Sequence, residues 1–360
     1  MSSEPKKEVR VWLDACFDMA HFGHANAIRQ SKALGDKLIF GIHNDEDVTR
    51  AKGPPVFKEE ERYRMARAMR WVDEVVEGAP YVTTLETLDK HNCDFCVHGD
   101  DLSIGPDGVD TFKTVKDAKR YREIPRTKGV STTDLVGRLL LATRSKNDEV
   151  EDVGEESPYT GTAVSGICTS AMVAQFYGSR RKPGPNDKVV YVAGAFDLFH
   201  IGHLAFLEAA AKEGTYLIVG IHKNKTVTQY KGAYRPLLSL HERCLTVLAY
   251  RCVDDVIMGA PYAISKEILD MFNVSVVCHG SRTPVLPRDV APDEDPYEEP
   301  KRRGIFKLVD SGSDVNTDTL FDRIVKNRET YKERNRKKQA KELRTISTVL
   351  QNQEQPQISI

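Results

Sequence analysis

The sequence predicts an α/β protein made of two tandem domains, each an open parallel sheet with helices on both faces. Three observations predict it: an internal repeat that stays in register, apolar runs of strand length alternating with amphipathic stretches, and a composition break between the copies. Residues 14–24 read DACFDMAHFGH and residues 193–203 read AGAFDLFHIGH. Phe17, Asp18, His21, Gly23 and His24 thus return 179 positions later as Phe196, Asp197, His200, Gly202 and His203. His43 and Lys52 return as His222 and Lys231 at the same offset. After a two-residue insertion, Gly78-Ala79-Pro80-Tyr81 recurs at 259–262 and His98-Gly99 at 279–280. Chance matches would not hold one register.

In the first copy VRVWLD (9–14), KLIFGIHN (37–44) and CDFCVHG (93–99) are β-branched, apolar runs, as expected of strands buried on both faces. Helical stretches are expected near 23–34, 59–70 and 84–91. The second copy repeats the strands at 189–194, 216–222 and 274–280. Such alternation implies βαβ units, with ligands beyond the carboxyl ends of the strands where the strand order switches. The expected boundaries are a catalytic domain over 1–147, a linker over 148–187 and a second, degenerate domain over 188–330. The linker opens with the acidic DEVEDVGEE and carries a short docking helix within 163–178. Residues 331–360 are expected to form a solvent-exposed basic helix and then a disordered tail.

The 52 basic and 53 acidic side chains nearly cancel, so no global field draws the chain to nucleic acid or anionic lipid. No apolar run reaches the roughly 18 residues of a membrane span, and the opening MSSEPKKEVR is unlike a signal peptide. Seven cysteines fit thiols in a reducing cytosol better than a disulfide framework. Cys93 and Cys96 have metal-like spacing, yet on a strand such a pair faces opposite sides, so buried thiols are expected and no metal site.

The His-x-Gly-His motifs fall where a strand gives way to a helix. A helix start offers unpaired N–H groups and a positive dipole end, a natural seat for phosphate. Gly23 lets the backbone come close, and two imidazoles three residues apart can donate to phosphoryl oxygens. Capping histidines would explain one copy; the duplicated context favours phosphate chemistry. Lys52, in Lys-Gly-Pro-Pro, is read as a turn lysine able to close over a polyphosphate. Arg126-Thr127-Lys128-Gly129-Val130-Ser131-Thr132 precedes an apolar helix. Ser131 fits an N-cap, while the arginine, hydroxyls and helix N–H groups together suit a pyrophosphate.

These motifs resemble the signatures of the cytidylyltransferase superfamily, His-x-Gly-His with Arg-Thr-x-Gly-[Ile/Val]-Ser-Thr. The resemblance implies Rossmann-like nucleotidyltransferase domains. The tandem arrangement is similar to that of the two-domain members that use phosphoethanolamine; single-domain choline-phosphate and glycerol-phosphate members fit less well. It implies a cytoplasmic enzyme that transfers CMP from CTP to phosphoethanolamine, giving CDP-ethanolamine and pyrophosphate on the route to phosphatidylethanolamine. His21, His24, Lys52 and Arg126 would be catalytic. Nucleotide binding would add Ala15, Cys16, Phe17, Asp18, Gly23, His98, Gly99, Asp100, Thr127, Val130, Ser131 and Thr132. Mg²⁺ would travel on the CTP phosphates. No nucleic-acid partner is expected. A homodimer and peripheral attachment at the endoplasmic reticulum stay open.

Aligning Leu135 with Leu320 sets Ser311 opposite Arg126 and Asp314 opposite Gly129. An acid there opposes phosphate, so the second half, though it keeps His200, His203 and Lys231, is expected to be inactive. On the acceptor side, Asp14 and Asp100 with Tyr81 suit a primary ammonium better than the full aromatic cage of a quaternary one. Phosphocholine as acceptor and a non-catalytic CTP sensor remain alternatives. An aminoacyl-tRNA synthetase fits poorly, for His200-Ile201-Gly202-His203 has no accompanying Lys-Met-Ser-Lys-Ser loop.

Overall fold

The computed structural model describes residues 7–100, 110–127, 130–142, 170–178, 180–232, 235–282 and 295–337. The first half runs β1 (Arg10–Ala15), α1 (Phe22–Lys32), β2 (Lys37–Ile42), α2 (Asp45–Lys52), α3 (Glu59–Arg67), β3 (Glu74–Glu77), α4 (Leu85–Lys90), β4 (Phe95–Gly99), α5 (Lys113–Asp117), β5 (Tyr121–Ile124) and α6 (Thr132–Ala142). A short α7 (Ser170–Tyr177) follows. The second half runs β6 (Val189–Gly194), α8 (Ile201–Ala211), β7 (Tyr216–His222), α9 (Asn224–Lys231), α10 (Leu240–Leu248), β8 (Asp255–Ala260), α11 (Lys266–Met271), β9 (Val274–Gly280), α12 (Glu298–Arg302), β10 (Phe306–Val309) and α13 (Thr317–Lys326). A last helix spans 328–337.

The expected pair of parallel sheets is borne out. Their orders are β3-β2-β1-β4-β5 and β10-β9-β6-β7-β8, one topology used twice. The order reverses at β1/β4 and at β6/β9, which sets a crevice at the carboxyl ends of those strands. Val11, Trp12, Leu38 and Ile39 are fully buried because both sheet faces are covered. Among the described residues four edge strands are not expected from sequence: β3 (EVVE) and β5 (YREI) in the first sheet, short and half charged, which discourages further pairing, and their counterparts β8 and β10 in the second.

Lys52 does not lie in a turn. It is the last residue of α2, which Asn44 caps by accepting from the Asp47 N–H at 2.7 Å. Gly53, at φ +86°, then ends the helix. Lys231 likewise ends α9 before Gly232 at φ +88°. Only Val48 of α2 is buried, so no apolar stripe announces the helix.

One apolar core runs through both halves, including Phe17, Phe40 and Val72 from the first and Phe199, Leu248 and Tyr250 from the second. Across the junction Met69 and Tyr250 form an antiparallel bridge. Arg138 reaches Glu242 at 3.2 Å and the Leu237 carbonyl at 3.1 Å. Its repeat counterpart Arg323 reaches Glu61 at 2.7 Å and the Val56 carbonyl at 3.0 Å. The same contact is made twice, so the halves are related by a local two-fold axis. Within the linker, α7 docks through Phe176, edge-on to Trp71 with centroids 5.4 Å apart; residues 143–169 lie outside the described residues.

The basic helix is not wholly exposed. Tyr331 is 0% and Asn335 2% exposed, because these two positions, one turn apart, are buried while Lys332, Arg336 and Lys337 face solvent. Cys93 and Cys96 are buried thiols as expected, bonded to the carbonyls of His91 and Arg120. Burial pushes their pKa values up to about 11 and about 12.

Candidate active site

β1 delivers Asp14 and Ala15 to the crevice, and Cys16, Phe17 and Asp18 turn the chain toward α1. Phe17 takes φ +52°, an uncommon backbone angle held by a ring buried to 1% exposure. His21 is the N-cap of α1, its Nδ1 accepting from the Gly23 N–H at 3.1 Å. The His21 N–H in turn donates to His24 Nδ1 at 3.4 Å. Both imidazoles therefore carry their proton on Nε2 and offer it as a donor. Their centroids lie 4.0 Å apart. A side chain at position 23 would strike Val130 Cγ1 and the His21 ring, so glycine is required there.

Burial, then the Lys52 and Arg126 charges, lower the His24 pKa to about 3. His24 stays neutral across the physiological range. The Cys16 thiol and the Tyr81 hydroxyl neighbour the Lys52 ammonium and raise its pKa. That ammonium also sits 5.7 Å from the Tyr81 ring centroid.

The Arg126 segment is held by two side chains. Asp100 accepts from the Arg126 N–H at 2.9 Å, and Asn26 donates to Thr127 Oγ1 at 2.9 Å. Ser131 caps α6, accepting from the Asp134 N–H at 3.2 Å, and Thr132 donates to the Asp18 carbonyl at 3.0 Å. His98 and Gly99 end β4, with His98 against Phe112 at 4.7 Å. Lys128 and Gly129 lie outside the described residues.

On the acceptor side Asp14 accepts from Trp12 Nε1 at 2.9 Å and from the Thr83 hydroxyl. Its charge bears on both His43 and Tyr81, whose rings lie 5.0 Å apart. Asp100, engaged with Arg126, is drawn to the nucleotide segment.

Sequence reasoning missed Arg62 and Asn26. The Arg62 guanidinium, 0% exposed, donates to the carbonyls of Cys16 (2.6 Å), His43 (2.8 Å) and Phe57 (3.2 Å), tying three loops of the crevice together. Arg243 repeats this on Ala195, His222 and Leu238. The repeat register was the available signal, since arginine recurs there 181 positions on.

The second crevice differs in three places. The Val315 carbonyl packs against Gly202, at the start of α8. Tyr230, where the first half has Ala51, donates to or accepts from His222 Nδ1 at 3.0 Å and packs on Tyr262 at 5.3 Å. Ala193 replaces Asp14. Asp314 does not place its charge in the crevice, for it is 94% exposed and paired with Arg282. The expected electrostatic block at Asp314 is therefore not made.

These features define a nucleotidyltransferase crevice, present twice and lined differently in the two halves. The chain belongs to the cytidylyltransferase-like family, whose model matches residues 12–138 and 191–291. It is 49% identical to the ethanolamine-phosphate cytidylyltransferase of Mus musculus, over 97% of this chain and 93% of that protein. It is 45% identical to the protein of the same name from Dictyostelium discoideum, over 95% and 97%. Choline-phosphate cytidylyltransferase 2 of Arabidopsis thaliana is 42% identical but matches only 39% of this chain and 47% of its own length. Among the described residues no helix is long and apolar enough to cross a membrane.

Proposed function

We propose that the protein transfers CMP from CTP to phosphoethanolamine, giving CDP-ethanolamine and pyrophosphate, and that the first half alone does so. The observation that carries the reading is the pair of imidazole donors at the start of α1, with the Lys52 and Arg126 charges acting on His24. The near full-length relatives named for ethanolamine phosphate support the choice of acceptor.

An oxygen of the phosphoethanolamine phosphate attacks the α-phosphorus of CTP as the bond to the β-phosphate oxygen breaks and pyrophosphate leaves. A phosphomonoester with its second pKa near 6 is already anionic, so no general base is required. His21 and His24 donate from Nε2 to the oxygens on which charge grows, and Lys52 and Arg126 offset charge on the triphosphate. Thr127, Ser131 and the first turn of α6 receive the pyrophosphate. Mg²⁺ carried by CTP would supply further charge neutralisation on the triphosphate, beside Lys52 and Arg126. Asp14 beside the single aromatic wall of Tyr81 fits a primary ammonium. In the second half Ser311 stands in place of Arg126 and Ala193 in place of Asp14, and Tyr230 packs on Tyr262, which supports a one-site reading. Water-soluble substrates and six described free thiols fit a cytosolic setting.

The test is pyrophosphate release from CTP with phosphoethanolamine, phosphocholine and glycerol 3-phosphate side by side. Turnover with phosphoethanolamine well above the others is expected. CTP binding without release from any acceptor would favour a nucleotide sensor instead.

A further inference from the structure

We propose that the 328–337 helix of the second half is a working part of the first half's site: it holds the loop after α2 so that Lys52 stands over the nucleotide, with Tyr331 as the positioning residue. This rests on the reading above, that Lys52 serves CTP.

The loop from Gly53 to Phe57 leaves α2 through a positive φ and two prolines, so its own hydrogen bonds are few. Four contacts fix it. Asp18 accepts from the N–H groups of Val56 (3.0 Å) and Phe57 (2.9 Å). Arg62 donates to the Phe57 carbonyl at 3.2 Å. Arg323 of α13 binds the Val56 carbonyl at 3.0 Å and Glu61 on the following helix. The Thr330 methyl lies 3.5 Å from where a side chain at Gly53 would begin. Two of the four come from the other half, Arg323 from α13 and Thr330 from the 328–337 helix.

Tyr331, next to Thr330 in the chain, is 0% exposed and belongs to the same core cluster as Val56 and Phe57. Arg334 packs over its ring at 5.0 Å, and the Asp18 charge reaches its hydroxyl. The docking is apolar in shape but imperfect in polarity. Among the described residues, Tyr331 Oη, both amide atoms of Asn335 and two guanidinium nitrogens of Arg334 have no hydrogen-bond partner. Buried polar atoms left unpaired oppose burial, so the helix holds less firmly than its contact suggests. The loop, and with it Lys52, is therefore sensitive to changes in this helix. The reverse contact, Arg138 on the Leu237 carbonyl, supports the matching loop of the second half.

The test is calorimetric titration of CTP into the full chain without acceptor. Tyr331→Ala is expected to weaken CTP binding about tenfold, while Tyr331→Phe, which keeps the ring, stays within about twofold of wild type. In a Lys52→Ala background, Tyr331→Ala is expected to add less than about twofold, because the route through Lys52 is already gone. Equal losses in both backgrounds, or wild-type affinity for Tyr331→Ala, overturn the proposal. If Tyr331→Ala does not fold, Thr330→Trp, an exposed wedge against Gly53, reads the same coupling by the same two comparisons. A wild-type chain that binds no CTP sinks the reading of the site instead, and the role of the helix with it.

Discussion

Arg70 and Arg251 hold each other's half of the molecule by one reciprocal contact. The Arg70 N–H donates to the Ala249 carbonyl at 2.8 Å, and its guanidinium to the carbonyls of Val253 (2.5 Å) and Tyr250 (3.3 Å). The Arg251 N–H donates to Ala68 at 3.0 Å, and its guanidinium to Val72 (2.7 Å) and Met69 (2.8 Å). Charge-assisted bonds of this kind contribute about 1.5–3 kcal/mol when a partner is lost. Arg70→Ala and Arg251→Ala are expected to destabilise the chain by similar amounts in that range. Urea unfolding of both variants checks it; a loss confined to one would break the symmetry inferred here.

Acid should weaken the fold before it protonates the carboxylates. Burial first, then neighbouring cations, hold His24 and His200 at about 3 and His222 at about 4, below the roughly 6.5 of an unfolded chain. Between those values the unfolded chain binds protons that the folded chain refuses, so stability is full above about pH 6.5 and falls as pH drops. The slope is up to about 1.4 kcal/mol per pH unit for each such histidine. Urea midpoints measured from pH 7 to pH 4 should decline across that window. A flat profile would show the rings to be solvated.

Removing either imidazole donor of the first half should slow chemistry. His21→Ala and His24→Ala are each expected to lower kcat by about 10²–10³, the range for a lost transition-state donor. His200→Ala and His203→Ala, in the half where Ser311 replaces Arg126, should lower it by no more than a few-fold. Steady-state rates on the purified variants decide; matched losses in the two halves would mean that both turn over.

The Tyr230 plug can be transplanted. Ala51 lies on the exposed part of α2 at the matching register. Ala51→Tyr is expected to raise KM for phosphoethanolamine at least tenfold, by about the loss of one buried contact site, with CTP affinity little changed. If CTP affinity falls in parallel, the tyrosine is disturbing Lys52 rather than filling the acceptor space.

The central strands were legible because Val11, Trp12, Leu38 and Ile39 belong to unbroken apolar runs, and the repeat register located His21, His24 and their counterparts. β3 and β5 escaped because four residues at a sheet edge, half of them charged, carry no periodicity. Lys52 was misplaced for a related reason, since a helix that buries only Val48 looks like a loop. Its acidic first turn after Asn44 was the signal passed over. The junction could not be read at all. Nothing in the composition pairs Arg138 with Glu242, and the 328–337 helix buries two polar-tipped residues, Tyr331 and Asn335, where an apolar stripe would have been noticed.

Because Phe17 and Tyr250 sit in one continuous apolar mass, duplication here has not produced two independently melting bodies. Such a chain should lose its structure in a single cooperative step. A nucleotide gripped at one end would then raise the melting point of the whole, so the silent twin would register a ligand that it never touches.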